Sequence, residues 1–327
     1  MMQFFRKKAR TTSRVGIVSY PDQLVVAHVE ERDGSPYLLQ CERAALESGK
    51  DASRILVKLV KDMGLEDRQC SYVLDPKDYN LHLLEAPQVE ASELRAAVRW
   101  KIKDLLDMKV DDAAIDVFQV PQDAYRGREM VYVVATLKTR IQKIVEMVNA
   151  SGLELAVIDL PELVLKNVSS CYLDDRNGLA FMDLRRSGST MNLTHDGDLY
   201  LTRRINTQLD QAVMNSADWV EVRDRLVLEI QRSLDYYESQ MGKSPITRIT
   251  IAPRMHDTHE MSKALDELLT AQVSPFNLAD FMLADVPLTP ELQQFALPAI
   301  GATLRGSSKQ VKPVAPQPAD PAEQEAA

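Results

Sequence analysis

"LAFMDLRRSGSTMNLTHDGDLYLTRRI", residues 179–205, holds the pattern on which the fold turns. "LAFMDL" is apolar apart from one acid and suits a buried strand, and "RRSGS" is a polar bend. Two alternating runs then meet at Asp196-Gly197, a dipeptide that accepts the positive φ angles of a two-residue hairpin. The stretch predicts three meandering strands. An acid followed by a small-residue turn between strands is also how several nucleotide-binding folds begin a phosphate loop. Arg185 and Arg186 occupy that turn here. A working anion site, a rebuilt one and a relic are the three readings it leaves open.

The same order of elements occurs about 165 residues earlier. "RVGIVSY", "QLVVAHVEE" and "PYLLQCE" read as strands, with Asp33-Gly34 as the hairpin signal between the last two. A helix over 51–63 follows, carrying Ile55, Leu56, Leu59, Val60 and Met63 on one face and stopping at Gly64; "CSYVLD" is then a buried strand. In the later stretch the helix runs over 219–241, striped by Val222, Leu226, Ile230, Leu234, Tyr237 and Met241, and "ITRITIA" closes the set. Three strands, a helix and a strand, occurring twice, predict a duplicated α/β domain. Between the copies, "EASELRAAVRWKIKDLLDM" is amphipathic through Leu94, Val98, Ile102 and Leu105. The strands "AAIDVFQVP" and "EMVYVVATL" and a helix over 138–150 come after it. The expected layout is a basic N-terminus over 1–12, a first domain over 13–176 with an insert at 86–136, a second domain over 177–290, a helix over 291–305 returning to the first, and a disordered tail over 306–327. The tail is rich in Pro, Ala and Glu and has no aromatic residue, so it has too little apolar surface to offset the entropy of ordering.

Composition excludes several classes of function. The 327 residues are 45% hydrophobic, enough for two cores, and the net charge of -9 without a long basic stripe argues against nucleic acid as a partner. Cys41, Cys70 and Cys171 are odd in number and widely spaced, fitting neither a disulfide framework nor a zinc site. No apolar run approaches the ~20 residues of a membrane span. The start, "MMQFFRKKAR", lacks the apolar core of a signal peptide but could touch an anionic membrane surface through its basic cluster. His256 and His259 in "HDTHEM" fit a helix-capping turn built on Asp257 and Glu260 better than a metal site. Neither a dinucleotide-binding glycine motif nor a P-loop is present.

The order of elements and several strings resemble the PilM group, actin-like cytoplasmic proteins of type IV pilus assembly. "ELRAAVRWKIKDLLDMKVDDAAIDVFQVP" is similar to that group's inserted subdomain, and "FMDLRRSGSTMNLTHDGDLYLTRRI" followed by "LVLEIQRSLDYYESQ" to the start of its second half. Within the group, "RWKIKDLLD" and the tail point to the branch serving the mannose-sensitive haemagglutinin (MSHA) pilus. The resemblance covers about residues 13–305 and implies two actin-like (ribonuclease-H-like) domains flanking a nucleotide cleft. Relatives that bind ATP do so with two Asp-x-Gly loops and a Gly-Gly pair, because glycine lets backbone amides come close to phosphate. This chain departs from each. Val18 and Tyr20 stand at the first aspartate and glycine; Asp183 is kept in the second loop but Arg185 replaces its glycine; Pro253 and Arg254 replace the pair. A valine cannot hold hydrated Mg²⁺, and proline has no N–H to offer.

The resemblance therefore implies a degenerate cleft without cofactor, in which Arg185, Arg186 and Arg254 either hold an anion through their guanidinium forks or fill the space against Asp183. Its function would be that of a non-enzymatic scaffold at the inner face of the inner membrane, holding the cytoplasmic tail of a PilN-like bitopic partner. The pilus ATPase motor and further copies of the chain are the other implied neighbours. The groove for that tail is expected between the first-half core and the insert, with Leu94, Val98, Trp100, Ile102 and Leu105 as contacts and Trp100 as the anchor. The alternative is an actin-like protein that binds or hydrolyses ATP with Mg²⁺, taking its carboxylate from Asp22 or Asp159. A third reading, the cytoplasmic part of a type II secretion protein, shares the fold.

Overall fold

The computed structural model describes residues 13–47, 51–185, 189–205, 209, 211–254 and 258–307. The basic N-terminus, Arg186, His256, Asp257 and the tail from residue 308 lie outside them. In the first half β1 (Arg14–Ser19), β2 (Gln23–Arg32) and β3 (Ser35–Ala45) form an antiparallel meander, followed by α1 (Ala52–Met63) and β4 (Gln69–Val73). Three further strands form a sheet of their own: β5 (Tyr79–Glu85), β6 (Ala113–Gln119) and β7 (Met130–Leu137), covered on one face by α2 (Leu94–Lys101). The chain then returns through α3 (Lys138–Ala150), β8 (Glu154–Asp159) and α4 (Pro161–Tyr172). The second half comprises β9 (Leu179–Asp183), β10 (Ser189–His195), β11 (Asp198–Ile205), α5 (Gln211–Met214), α6 (Trp219–Met241), β12 (Arg248–Ile251), α7 (Thr258–Asp266) and β13 (Gln272–Pro275). Last come β14 (Leu283–Ala284) and α8 (Pro290–Thr303).

The duplication holds strand by strand. The first sheet runs β14-β3-β2-β1-β4-β8 and the second β11-β10-β9-β12-β13. In each, the first strand of the meander pairs antiparallel with the second and parallel with the strand after the helix. Both hairpins turn as expected: Asp33 and Gly34 have φ of 51° and 78°, Asp196 and Gly197 of 50° and 83°. These are the left-handed values that Asp tolerates and Gly favours.

Two boundaries differ from expectation. The insert's sheet begins at Tyr79 rather than near residue 86, because β5, which follows the turn over Pro76–Asp78, is one of its strands. The return to the first half also begins earlier, when β14 pairs with β3, before α8 starts. The starting turn of α8 is set by Thr289, whose hydroxyl accepts from the Leu292 amide at 3.2 Å, and by Pro290, which needs no N–H partner there. The helix lies directly on β1: a Cβ on Gly16 would stand 1.8 Å from the Ala299 carbonyl oxygen. Among the described residues no helix is long and apolar enough to cross a membrane.

Candidate functional site

The cleft between the halves is built from the ends of β1 and β9. Val18 is buried in β1 between Val25 and Val73, an apolar position. Tyr20 follows at the turn into β2, edge-on to Phe295 of α8 with ring centroids 6.4 Å apart. From the facing half, Asp183 ends β9 and Arg185 lies two residues on. The Arg185 guanidinium donates from Nε to Asp183 Oδ2 at 2.6 Å, from Nη1 to the Tyr20 hydroxyl at 2.8 Å and from Nη2 to the Gln294 carbonyl at 3.3 Å. The Tyr20 hydroxyl in turn donates to the Phe295 carbonyl at 3.3 Å. Burial opposes charge on Arg185, but Asp183 and Tyr20 outweigh it and hold the guanidinium protonated even above its high ordinary value. Burial also raises the Tyr20 hydroxyl. The side chain thus forms a latch from the second half to β1 and α8 of the first.

Arg254 is buried beside buried Pro253, and its Nη2 donates to the Leu209 carbonyl at 2.7 Å. The hydrogen bonds described for Arg185 and Arg254 go to different acceptors. Asp159, one of the two alternative metal-side carboxylates, is at the end of β8, two strands from β1 at the far edge of the first sheet. It belongs to a different site. Among the described residues no cluster of three or more His, Cys, Asp or Glu has the geometry to hold a metal ion.

The expected partner contacts on α2 divide sharply. Leu94, Val98 and Ile102 are buried against Val131, Val133 and Ala135 of β7 and form the insert's own core, so they are corrected from contacts to packing residues. The reason is periodicity: spaced by four, they share the one face of α2 that its sheet covers. Trp100 is 73% exposed and Leu105 49% exposed. Leu105 leaves the stripe because α2 ends at Lys101 and a 3₁₀ turn over Lys103–Leu105 changes the rotation.

A groove of about 440 Å³ does lie between the insert and the first-half core. One wall is five successive residues of β6, Ala114 to Phe118; the other includes Leu74, Ile158, Leu160 and Leu163. In a strand successive side chains alternate between faces, so consecutive residues on one wall mean that the groove reaches the strand's edge, and Val134 and Thr136 of β7 extend it over the adjoining face of the sheet. β6 is an edge strand of its sheet. Ile141 of α3, Asp159 and Arg305 complete the lining, with Asp159 Oδ2 and Arg305 Nη1 3.7 Å apart.

Behind the same groove wall lies a network that no local pattern of residues announces. Glu162, 1% exposed on α4, accepts from the Tyr79 hydroxyl at 2.5 Å and from Arg204 Nε of β11 at 3.3 Å. Arg204 also donates to the Pro76 carbonyl at 3.0 Å and stacks 4.4 Å over the Tyr79 ring. Burial and then the Glu162 charge hold the Tyr79 hydroxyl well above its ordinary value. Tyr79 and Glu162 are 83 residues apart in the chain, and only the folded topology brings them together.

Comparison with known proteins bears on the fold. No family model and no curated protein sequence matches the chain. Among solved structures it is similar to a PilM-PilN type IV pilus biogenesis complex, at TM-score 0.70 and 16% identity over 90% of this chain and 98% of that one. Looser likenesses are the cytoplasmic domain of EpsL, an inner-membrane component of the type II secretion system of Vibrio cholerae (TM-score 0.46, 12% identity, 91% and 100% covered), and a Bacteroides thetaiotaomicron protein with an actin-like ATPase fold and unknown function (0.48, 9%, 85% and 95%). The duplicated sheets, the joining helices and the likeness over nine-tenths of the chain together establish an actin-like α/β fold carrying an extra three-stranded subdomain.

Proposed function

We propose that the chain is a non-enzymatic cytoplasmic scaffold of a type IV pilus assembly platform. In this reading its groove holds the cytoplasmic tail of a PilN-like inner-membrane protein. The observation that carries the proposal is the apolar groove along the free edge of β6. An extended segment laid there gains main-chain hydrogen bonds from the strand and apolar contacts from the opposite wall. The similar solved structure is a PilM-PilN complex, which supports the choice of partner class. "RWKIKDLLD" places the protein, within this reading, in the MSHA branch. Trp100, exposed on the outer face of α2, is free to meet a further component such as the ATPase motor or another copy of the chain.

The cleft supports a scaffold in a second way. Arg185 engages Asp183 and Tyr20, two of the positions that nucleotide-binding relatives use. Nucleotide would have to displace a half-buried guanidinium that already donates to three acceptors, at a cost of several hydrogen bonds. Titration calorimetry with ATP and Mg²⁺ at millimolar concentration, with a thermal shift measured alongside, tests this: a flat trace and an unmoved melting temperature are expected. Saturable binding with a raised melting temperature would instead support the ATP-dependent reading. The groove is tested separately by titrating synthetic tails of PilN-like proteins, whose binding should be lost when Val117 on the β6 wall is changed to Lys.

A further inference from the structure

We infer that the groove selects a segment that presents a hydrogen-bond donor side chain to Oδ2 of Asp159. The inference rests on reading the groove as a peptide site and specifies what that peptide must carry. Asp159 is 1% exposed. Its main-chain carbonyl accepts from the Leu74 amide at 2.9 Å and its Oδ1 from the Leu160 amide at 2.9 Å, but Oδ2 has no hydrogen-bond partner. Arg305 Nη1, at 3.7 Å, is near enough to balance charge and too far to be a hydrogen bond.

What this oxygen lacks is therefore a donor rather than a countercharge. A buried acceptor without a donor carries a desolvation penalty that an incoming donor removes. Arg305 lines the same groove with 47% of its side chain exposed, and it rotates outward as the donor enters. A peptide strand paired to β6 uses its main chain on that side and sends its side chains alternately to the two faces of the extended sheet, so those on the face lined by Val134 and Thr136 meet the core-side wall. Alternation then fixes the pattern: the donor-bearing residue has apolar residues two positions before and after it, facing Leu74, Ile158 and Leu163.

The test selects a displayed library of random ten-residue peptides on the folded wild-type chain and on Asp159→Asn. Wild type is expected to enrich apolar segments with an amide, hydroxyl or ammonium at one fixed position, and the variant to keep the apolar positions and lose that preference. Replacing the donor of a selected peptide by an apolar residue of similar size should weaken binding to wild type tenfold or more. This second measurement needs no protein variant and decides the matter should Asp159→Asn fold poorly. Apolar peptides with no donor position, or an unchanged affinity on replacement, would overturn the inference and leave the groove standing. Failure of folded wild type to enrich any peptide would overturn the groove reading itself.

Discussion

Arg185 illustrates how one substitution changes the meaning of a loop. At a phosphate turn a glycine contributes only its backbone; an arginine in the same place brings a fork that reaches Asp183, Tyr20 and the Gln294 carbonyl together. Arg185→Ala should lower stability by about 1–3 kcal/mol, read from the denaturant midpoint, because Asp183 and the carbonyl are left partly desolvated without a donor. If the cleft serves nucleotide, the same variant would change ATP affinity as well. Asp159 has a signature in pH. Burial lifts its carboxyl above the ordinary 3.8, outweighing Arg305. The folded state therefore holds the proton more tightly than the unfolded one, and stability falls as pH rises from that value through the raised one. Asp159→Asn should flatten this fall, seen by urea unfolding between about pH 4 and 7. Cys41 and Cys70 are buried, and burial pushes each thiol up to about 12. Neither should react with an aromatic disulfide reagent until the chain is unfolded.

Elements were legible in the sequence where periodicity and turn chemistry agreed. The meanders, both Asp-Gly hairpins, α1, α3 and α6 follow from local pattern, since alternation, left-handed turn residues and apolar stripes are properties of contiguous residues. β5 was not legible although the Asp75-Pro76 turn bounds it, because the alternation of "YNLHLLE" breaks at Leu83-Leu84 and nothing local says which sheet it joins. The roles of Leu94, Val98 and Ile102 were misread because an amphipathic stripe does not say which neighbour covers it. Only the β7 side chains show that the stripe is spent inside the insert. The latch was half legible: Asp183 was the evident partner of Arg185, whereas Tyr20 and the α8 carbonyls depend on tertiary contacts. Close approach explains the small residues of α8 and β1. Gly16 faces the Ala299 carbonyl, and a Cβ on Gly301 would meet Val164 Cγ1 at 2.7 Å. Gly16→Val should cost upwards of about 3 kcal/mol and leave little folded protein, because the obstacle is backbone and cannot repack. Circular dichroism of the purified variant checks it.

At the scale of the molecule, the halves are joined by more than a hinge. One apolar cluster contains Val18, Val25 and Leu38 of the first sheet, Val164 and Ile300 of the joining helices, and Phe181, Ala252 and Phe276 of the second half. Shared burial of this kind ties the stability of each half to the other. Calorimetry should show one unfolding transition for the described core, where independent halves would give two. The Glu162 network adds a polar tie. Arg204→Met should destabilise by on the order of 3 kcal/mol, since it leaves a buried carboxylate with its cation removed. Adding Glu162→Gln to that variant should restore part of the loss, a recovery that a mere packing defect would not show.

The position of Glu162 bears finally on how such a protein changes over generations. Leu160 and Leu163 lie on one wall of the groove, and Glu162 between them is bolted to Arg204 and Tyr79. A substitution on this wall risks the union of the halves. Ala114 to Val117 on the strand are half-buried to exposed and lie outside that network, whereas Phe118 stacks on Tyr132 with ring centroids 5.1 Å apart and packs against the second-half core. New partner preferences are thus left to arise on one bank of the groove, while the other stays as it was.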